Sequence, residues 1–231
     1  MSQNLLNTFD VVVVGAGPAG AMAAIEAVRS GLSVAIIKKT VLPRRKVCAG
    51  GLVKRAVSLI PKEISFPIEQ QCHSITLSVD DANIDFTQQR QNLVTMVCRS
   101  AFDMALIQYA KSLGVQLFDE SSVTNISPMP THINIQTNLA NFQAKYLVFA
   151  EGATARLSNQ FWADERLLLP SLEADVYVSP EQHDSLKHSA IFDFGVFTGG
   201  YGWIFPKCGH FSICQVPSVC RPSSYLPHLE A

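Results

Sequence analysis

The chain has 231 residues, 48% of them hydrophobic and 16% charged, with a formal net charge of −1. That balance excludes a disordered chain and leaves no global electrostatic footprint for nucleic acid. No apolar run reaches the ~20 residues a membrane helix needs. Met1 to Phe9 lacks the basic and apolar regions of a secretory signal, so a cytoplasmic protein is expected. The cysteines stand at 48, 72, 98, 208, 214 and 220, with no Cys-x-x-Cys pair, and reduced thiols are expected. Cys208, His210 and Cys214 are closely spaced, but no second ligand pair accompanies them, so no metal site is assigned.

The first element is an apolar strand, Phe9–Val14, running into Gly15-Ala-Gly17-Pro-Ala19-Gly20 and an alanine-rich helix to about Ser30. Gly31 stops the helix, and a second strand, Leu32–Ile37, follows. Strand, G-x-G-x-x-G turn and helix together form a dinucleotide-binding fingerprint. Gly15 allows the tight turn, Gly17 lets a pyrophosphate approach the backbone, and Gly20 lets helix and strand pack closely. The helix N-terminus adds N–H donors and partial positive charge. About 20 residues on, where an acid usually takes the ribose hydroxyls, the sequence has Lys38. A cation cannot accept those hydrogen bonds. It favours a 2′-phosphate, and with it NADP, or it marks an FAD site in which a carbonyl or water substitutes.

Leu42 to Leu52 is a glycine- and proline-containing loop with three consecutive cations, Arg44-Arg-Lys46, and Cys48 beside Gly50-Gly51. Cys48 is either a reactive thiol or a small buried hydrophobe. Residues 52–60 suggest a short helix stopped by Pro61. Ser74–Val79 and Ile84–Phe86 alternate with period two around Asp80–Asn83, which predicts a hairpin, and Leu93–Val97 adds a strand. A helix is predicted over Arg99–Leu113, its apolar face made by Phe102, Leu106, Tyr109, Ala110 and Leu113, with Gly114 as its stop. Strands are expected at Val115–Phe118, Ser121–Ile126, His132–Thr137 and Asn141–Phe149, with a break at Pro128–Pro130. The buried run Tyr146–Ala150 ends in a second turn, Glu151-Gly152. Beyond it, Ala174–Val178, Ala190–Val196 and Tyr201–Phe205 read as strands, and 217–231 carries little pattern. Tyr201, Trp203 and Phe205 share one strand face, and alternation leaves open whether they line a pocket or fill a core. The fold class is α/β: a Rossmann-like dinucleotide domain (1–70 and 98–165) interleaved with an antiparallel β-sheet domain (71–97 and 166–231).

Four stretches in order, Gly15–Gly20, Pro43–Gly51, Cys98-Arg99 with Phe102-Asp103, and Gly200–Lys207, resemble the geranylgeranyl reductase family of FAD-dependent oxidoreductases. That family sits among the glutathione-reductase and p-hydroxybenzoate-hydroxylase types of flavoprotein. The resemblance implies a Rossmann-like FAD-binding domain with an interleaved β-sheet substrate domain. It implies FAD held by Gly15, Gly17, Ala19, Gly20 and Lys38, by Arg99, by the backbone of Val123 and by Gly152. Cys48, Ala49 and Gly51 would lie along the flavin, with Cys48 a candidate for the proton route. Tyr201, Trp203 and Phe205 would receive an isoprenoid chain. It further implies NADPH or ferredoxin as electron donor, an isoprenoid or lipid substrate, and contact with a membrane surface. Two positions depart from the family pattern, Lys38 for its acid and Glu151 for an Asp. The family's third cofactor turn, Gly-Asp, does not follow Lys207, and the resemblance therefore implies an incomplete reductase. The competing readings are a monooxygenase or halogenase of the same superfamily, a non-catalytic nucleotide-binding remnant, and an NADP-only Rossmann enzyme.

Overall fold

The structure is a computed structural model and describes residues 6–79, 82–87, 91–162, 168–194 and 200–216. In chain order the strands are β1 (Leu6–Val14), β2 (Val34–Ile37), β3 (Gly51–Val53), β4 (Gln70–Cys72), β5 (Ser74–Val79), β6 (Ala82–Thr87), β7 (Val94–Met96) and β8 (Gln116–Phe118). They continue as β9 (Val123–Pro128), β10 (Ile133–Thr137), β11 (Asn141–Phe149), β12 (Leu172–Val176), β13 (Ser189–Asp193), β14 (Tyr201–Pro206) and β15 (Phe211–Val216). The α-helices are α1 (Pro18–Arg29), α2 (Lys54–Ser58), α3 (Arg99–Ser112) and α4 (Pro180–Leu186), and a 3₁₀ turn covers Ser158–Gln160.

The chain divides into two compact units. The first comprises 1–46, 62–66 and 100–166, and the second 47–61, 67–99 and 167–231. The expected division kept 47–61 with the dinucleotide domain. These residues instead belong to the second unit, because β3 pairs with β7, Gly51 opposite Met96.

The first unit is built on a six-stranded sheet in the order β8-β2-β1-β11-β10-β9. β8, β2, β1 and β11 run parallel, and β10 and β9 add an antiparallel edge. The four-valine run explains β1's central place: Val11 to Val14 are all buried, as are all four residues of β2. Helix α1 buries Gly20, Ala21 and Ala24, small residues that bring it close to the sheet, together with the larger Ile25. The core cluster joins Phe9, Val12, Ala35, Ile37, Ile135, Phe142 and Ala144, with Phe118 edge-on to Phe142 at 4.8 Å between ring centroids. Helix α3 buries Phe102, Asp103, Leu106, Ile107 and Ala110. Ile107 thus takes the core place expected for Tyr109. The Tyr109 hydroxyl instead accepts a hydrogen bond from Arg29 Nη2 at 2.9 Å, which satisfies its polar end.

The second unit holds a six-stranded sheet, β12-β15-β14-β13-β5-β6, and a three-stranded one, β3-β7-β4. All pairs in it are antiparallel except β13 with β5, which run parallel with Ser189 opposite Ser74. Its core cluster is Ala49, Cys72, Val94, Met96, Ala190 and Phe205. Helix α4 lies between β12 and β13, where no helix is expected from the sequence. Ser179 and Gln182 form a capping box, with Pro180 at the first helical turn.

At the base of β1, Asp10 accepts hydrogen bonds from Ser33 N and Oγ at 2.8 and 2.6 Å and pairs with Lys145 Nζ at 2.8 Å. The Lys145 ammonium first, and Ser33 second, hold the Asp10 carboxyl well below the usual carboxylate range. A carboxylate whose pKa is lowered by folding contributes stability that is present above the ordinary carboxylate pKa and lost as pH falls. Asp10→Asn is therefore expected to lower the melting temperature at neutral pH and to shrink the difference from wild type steadily below about pH 4. Thermal melts across pH check this. A difference that stays constant down to the acid limit would contradict it.

Candidate cofactor and reaction site

In the first unit, the turn after β1 depends on backbone touching backbone. Gly15 has φ +113°, and a β-carbon there would overlap Ala150 O. A β-carbon on Gly20 would overlap Gly15 O. Gly17 differs: the nearest atom to its would-be β-carbon is Arg44 Nη2 at 3.9 Å. The turn is thus closed on the strand side and open at Gly17. Gly17 caps α1 without any side-chain hydrogen bond, and Ala19 on the first turn is exposed. A small open turn at the start of a 12-residue helix, with a guanidinium beside it, fits the pyrophosphate of a dinucleotide.

Arg44 is the residue that motif reading left undistinguished among three neighbouring cations. Its Nη2 lies 3.6 Å from Asp103 Oδ2 on α3, and Asp103 is 1% exposed. Lys38 is buried at the end of β2. Its N–H donates to Phe118 O at 2.9 Å, and its ammonium turns back to donate to Thr40 O. Burial, and then the charge of Arg44, lower the Lys38 pKa. The ammonium is thus enclosed and donates within its own loop.

The second turn sits beside the first. Ala150 N–H donates to Val14 O at 2.8 Å, extending the β1–β11 pairing into both turns. Gly152 has φ +90° with open space around it. The longer Glu151 side chain is committed elsewhere: it accepts from Leu157 N at 3.0 Å and Ser158 N at 2.9 Å, capping the 3₁₀ turn. Val123 opens β9, pairs with Thr137 at a register shift and packs against the core cluster.

In the second unit, Cys48 is exposed and Ala49 is buried. Gly50, at φ +67°, passes so close to Val97 O that a β-carbon would overlap it. Gly51 lies against Phe205, whose Cε2 would be 2.6 Å from a β-carbon there. This brings the Cys-Ala-Gly-Gly loop and the Tyr-x-Trp-x-Phe strand together, which sequence spacing could not show. The strand carries a continuous aromatic strip. Ring centroids are 5.7 Å apart for Tyr201 and Trp203 and 5.9 Å for Trp203 and Phe205. Phe194 stacks on Tyr201, and Phe192 meets Phe205 edge-on. The strip is graded. Phe205 is 7% exposed and belongs to the core, whereas Tyr201 is 37% exposed. Trp203 Nε1 is enclosed and meets no acceptor among the described residues. Arg99 opens α3 and is half-buried. Of the other thiols, Cys72 is buried and pushed up to about 12 by that burial, and burial likewise raises Cys214. Neither is a nucleophile at neutral pH. His210 faces Asp175 at 3.7 Å and the Tyr177 ring at 5.2 Å.

Residues 9–161 match the model of the pyridine nucleotide-disulphide oxidoreductase family. The chain belongs to that family. It is 33% identical over 202 residues to an uncharacterized protein of Methanosarcina barkeri, an alignment covering 87% of this chain and 52% of that protein. It is 28% identical over 218 residues to digeranylgeranylglycerophospholipid reductase 1 of Methanopyrus kandleri, covering 86% and 55%. The chain thus spans about half the length of the curated relatives it matches. Among solved structures it superposes on a geranylgeranyl bacteriochlorophyll reductase-like protein of Thermoplasma acidophilum with a TM-score of 0.77. That match is 22% identical and covers 93% of this chain and 57% of the other. Halogenase PltM in complex with phloroglucinol and FAD gives a TM-score of 0.72 at 16% identity, covering 91% and 52%. Both likenesses speak for the fold, that of FAD-binding Rossmann-type flavoproteins.

The two turn glycines separate folding from binding. Gly20→Ala forces a β-carbon into the Gly15 carbonyl and is expected to cost ~1–3 kcal/mol or more, as overpacking does. Gly17→Ala makes only an ordinary contact with Arg44 Nη2, at 3.9 Å, but fills the face that a phosphate would approach. It is expected to leave the melting temperature unchanged while weakening FAD binding about tenfold or more, ~1.4 kcal/mol. Thermal melts and flavin-fluorescence titration check the pair. Equal FAD affinity in Gly17→Ala and wild type would remove the turn from the binding surface.

Proposed function

We propose that this chain is the FAD-binding and substrate-facing part of a flavin-dependent reductase acting on the C=C bonds of a prenyl chain. The observation that carries the reading is the seating of the Cys48–Gly51 loop directly on Phe205, at the buried end of the aromatic strip. A loop with an exposed thiol offers such a substrate a proton-bearing group, and the aromatic sheet face offers it an apolar surface. The names of the relatives, digeranylgeranylglycerophospholipid reductases among them, support the same chemistry.

In this reading the first unit binds the dinucleotide. Gly15, Gly17, Ala19 and Gly20 receive the pyrophosphate, with Arg44 as counter-charge, and Gly152 leaves the second turn open. The backbone at Lys38 and at Val123 flanks the adenosine, and the Arg99 guanidinium suits phosphate or carbonyl oxygens. When bound, reduced FAD supplies a hydride to one alkene carbon, and the other carbon takes a proton. The residues of the second unit then have separate tasks. Tyr201 and Trp203 align the chain, Phe205 and Ala49 keep water away from the loop, and Cys48 holds or relays a proton at Sγ. NADPH or a ferredoxin is the electron donor in this proposal, and the lipid substrate brings the protein to a membrane surface. No helix among the described residues is long and apolar enough to cross a membrane.

The experiment is reconstitution with FAD, anaerobic reduction, and mixing with a geranylgeranyl lipid. Reoxidation of the flavin with formation of the saturated chain is the expected result. Flavin that binds and is reoxidised only by O₂, with an aromatic substrate hydroxylated or halogenated, would replace this reading with the monooxygenase or halogenase one. Protein that takes up no FAD would leave a nucleotide-binding remnant.

A further inference from the structure

Lys207 lies just past β14 and is 5% exposed. Its Nζ donates to Val97 O at 2.7 Å and lies 3.0 Å from Glu69 Oε2. Each of these partners is tied to the three-stranded sheet. Val97 N–H donates to Gly50 O at 2.9 Å, and Glu69 N–H donates to Met96 O at 2.8 Å. The ammonium also lies directly beneath the loop, 3.0 Å from where a β-carbon of Gly50 would be. The backbone of Lys207 is itself held. Its N–H donates to His210 O at 2.8 Å, and its carbonyl accepts from His183 Nε2 on α4 at 2.7 Å. The apolar cluster of Ala49, Cys72, Val94, Met96, Ala190 and Phe205 forms the core of the same unit.

A buried ion pair in such a place is a weak source of stability, because desolvation offsets its attraction. Its best-attested use is to select one arrangement of the chain over others. Here the arrangement it selects is that of the loop. The lysine–carbonyl bond fixes the end of β7, and Val97 N–H at that end donates to Gly50 O, while Gly50 can carry no side chain because its φ is positive and a β-carbon would overlap the same Val97 O that the ammonium holds.

We propose that Lys207, charge-balanced by Glu69, is the positioning residue of the Cys48–Gly51 loop, holding it in the conformation that buries Ala49 and exposes Cys48. Its catalytic meaning rests on the reductase reading, but the positioning itself does not. The test is therefore made on the full chain without flavin or prenyl substrate, so that failure of prenyl reduction leaves it standing.

Lys207→Met keeps the length of the stem and removes the charge and donors. It is expected to speed hydrogen exchange at 47–53 and 95–98 about tenfold, with β12 and β15 unchanged, as a local opening does. Alkylation of Cys48 by iodoacetamide, followed by peptide mass spectrometry, is expected to change rate with it. Lys207→Arg, which keeps a buried donor and charge, is expected to restore both readouts at least in part. Exchange that rises evenly through the second unit, or a loop and thiol that do not respond, would overturn the proposal. If Lys207→Met does not fold, Glu69→Gln decides. Loosening confined to the same two segments supports the clamp, and an unaltered loop overturns it.

Discussion

Everything in the first unit rests on a place where three stretches of backbone meet without side chains between them. Gly15 reaches the Ala150 carbonyl, Gly20 reaches the Gly15 carbonyl, and Ala150 donates to Val14. That contact sets α1 close against β1 and fixes β11 as β1's other neighbour, so both turns open at the same end of the sheet. Ligands of open α/β sheets bind at the carboxyl ends of the strands. The open Gly17 face and the Arg44 guanidinium follow from this geometry. Without the close approach, the helix would stand off the strand, and its N-terminus would point elsewhere.

Three charged side chains around the two turns have structural partners of their own. Lys38 is turned back on Thr40, Glu151 caps a 3₁₀ turn, and Asp103 is matched to Arg44. The two departures from the flavoprotein pattern, at Lys38 and Glu151, thus have local structural employment. Neither leaves an unmatched charge aimed at a ligand.

Much of this was legible from residues alone. A run of valines ending in G-x-G-x-x-G before an alanine-rich helix can scarcely be anything but strand, turn and helix, and period-two alternation at 74–79 marked a true hairpin. What escaped had identifiable causes. β4 is three residues long and shows no period. Helix α4 carries its own signal in Ser179-Pro180-Glu181-Gln182, a capping box with proline in the first turn, but at seven residues it shows no apolar period to announce it. Tyr109 was counted as core by its ring, although its hydroxyl needed a partner. The candidate site was legible in its residue types and not in its joins. Gly51 against Phe205, and Lys207 beneath Gly50, are contacts between segments more than 100 residues apart, and no local pattern encodes them.

The central pairing of the first sheet carries a kinetic consequence. β1 lies beside β11, and Asn7 bonds to Asn141 across 134 positions of sequence. In the second unit, β5 must likewise wait for β13, with Thr76 and Ser189 separated by 113. β1 therefore leaves the ribosome long before β11 exists, and β5 long before β13, and the two units are threaded through one another along the chain. Such topologies have high contact order, fold slowly and expose bare strand edges meanwhile. For a nascent chain of this kind the hazardous interval is synthesis itself, when the valine-rich β1 has only β2 to pair with and its other edge stands bare.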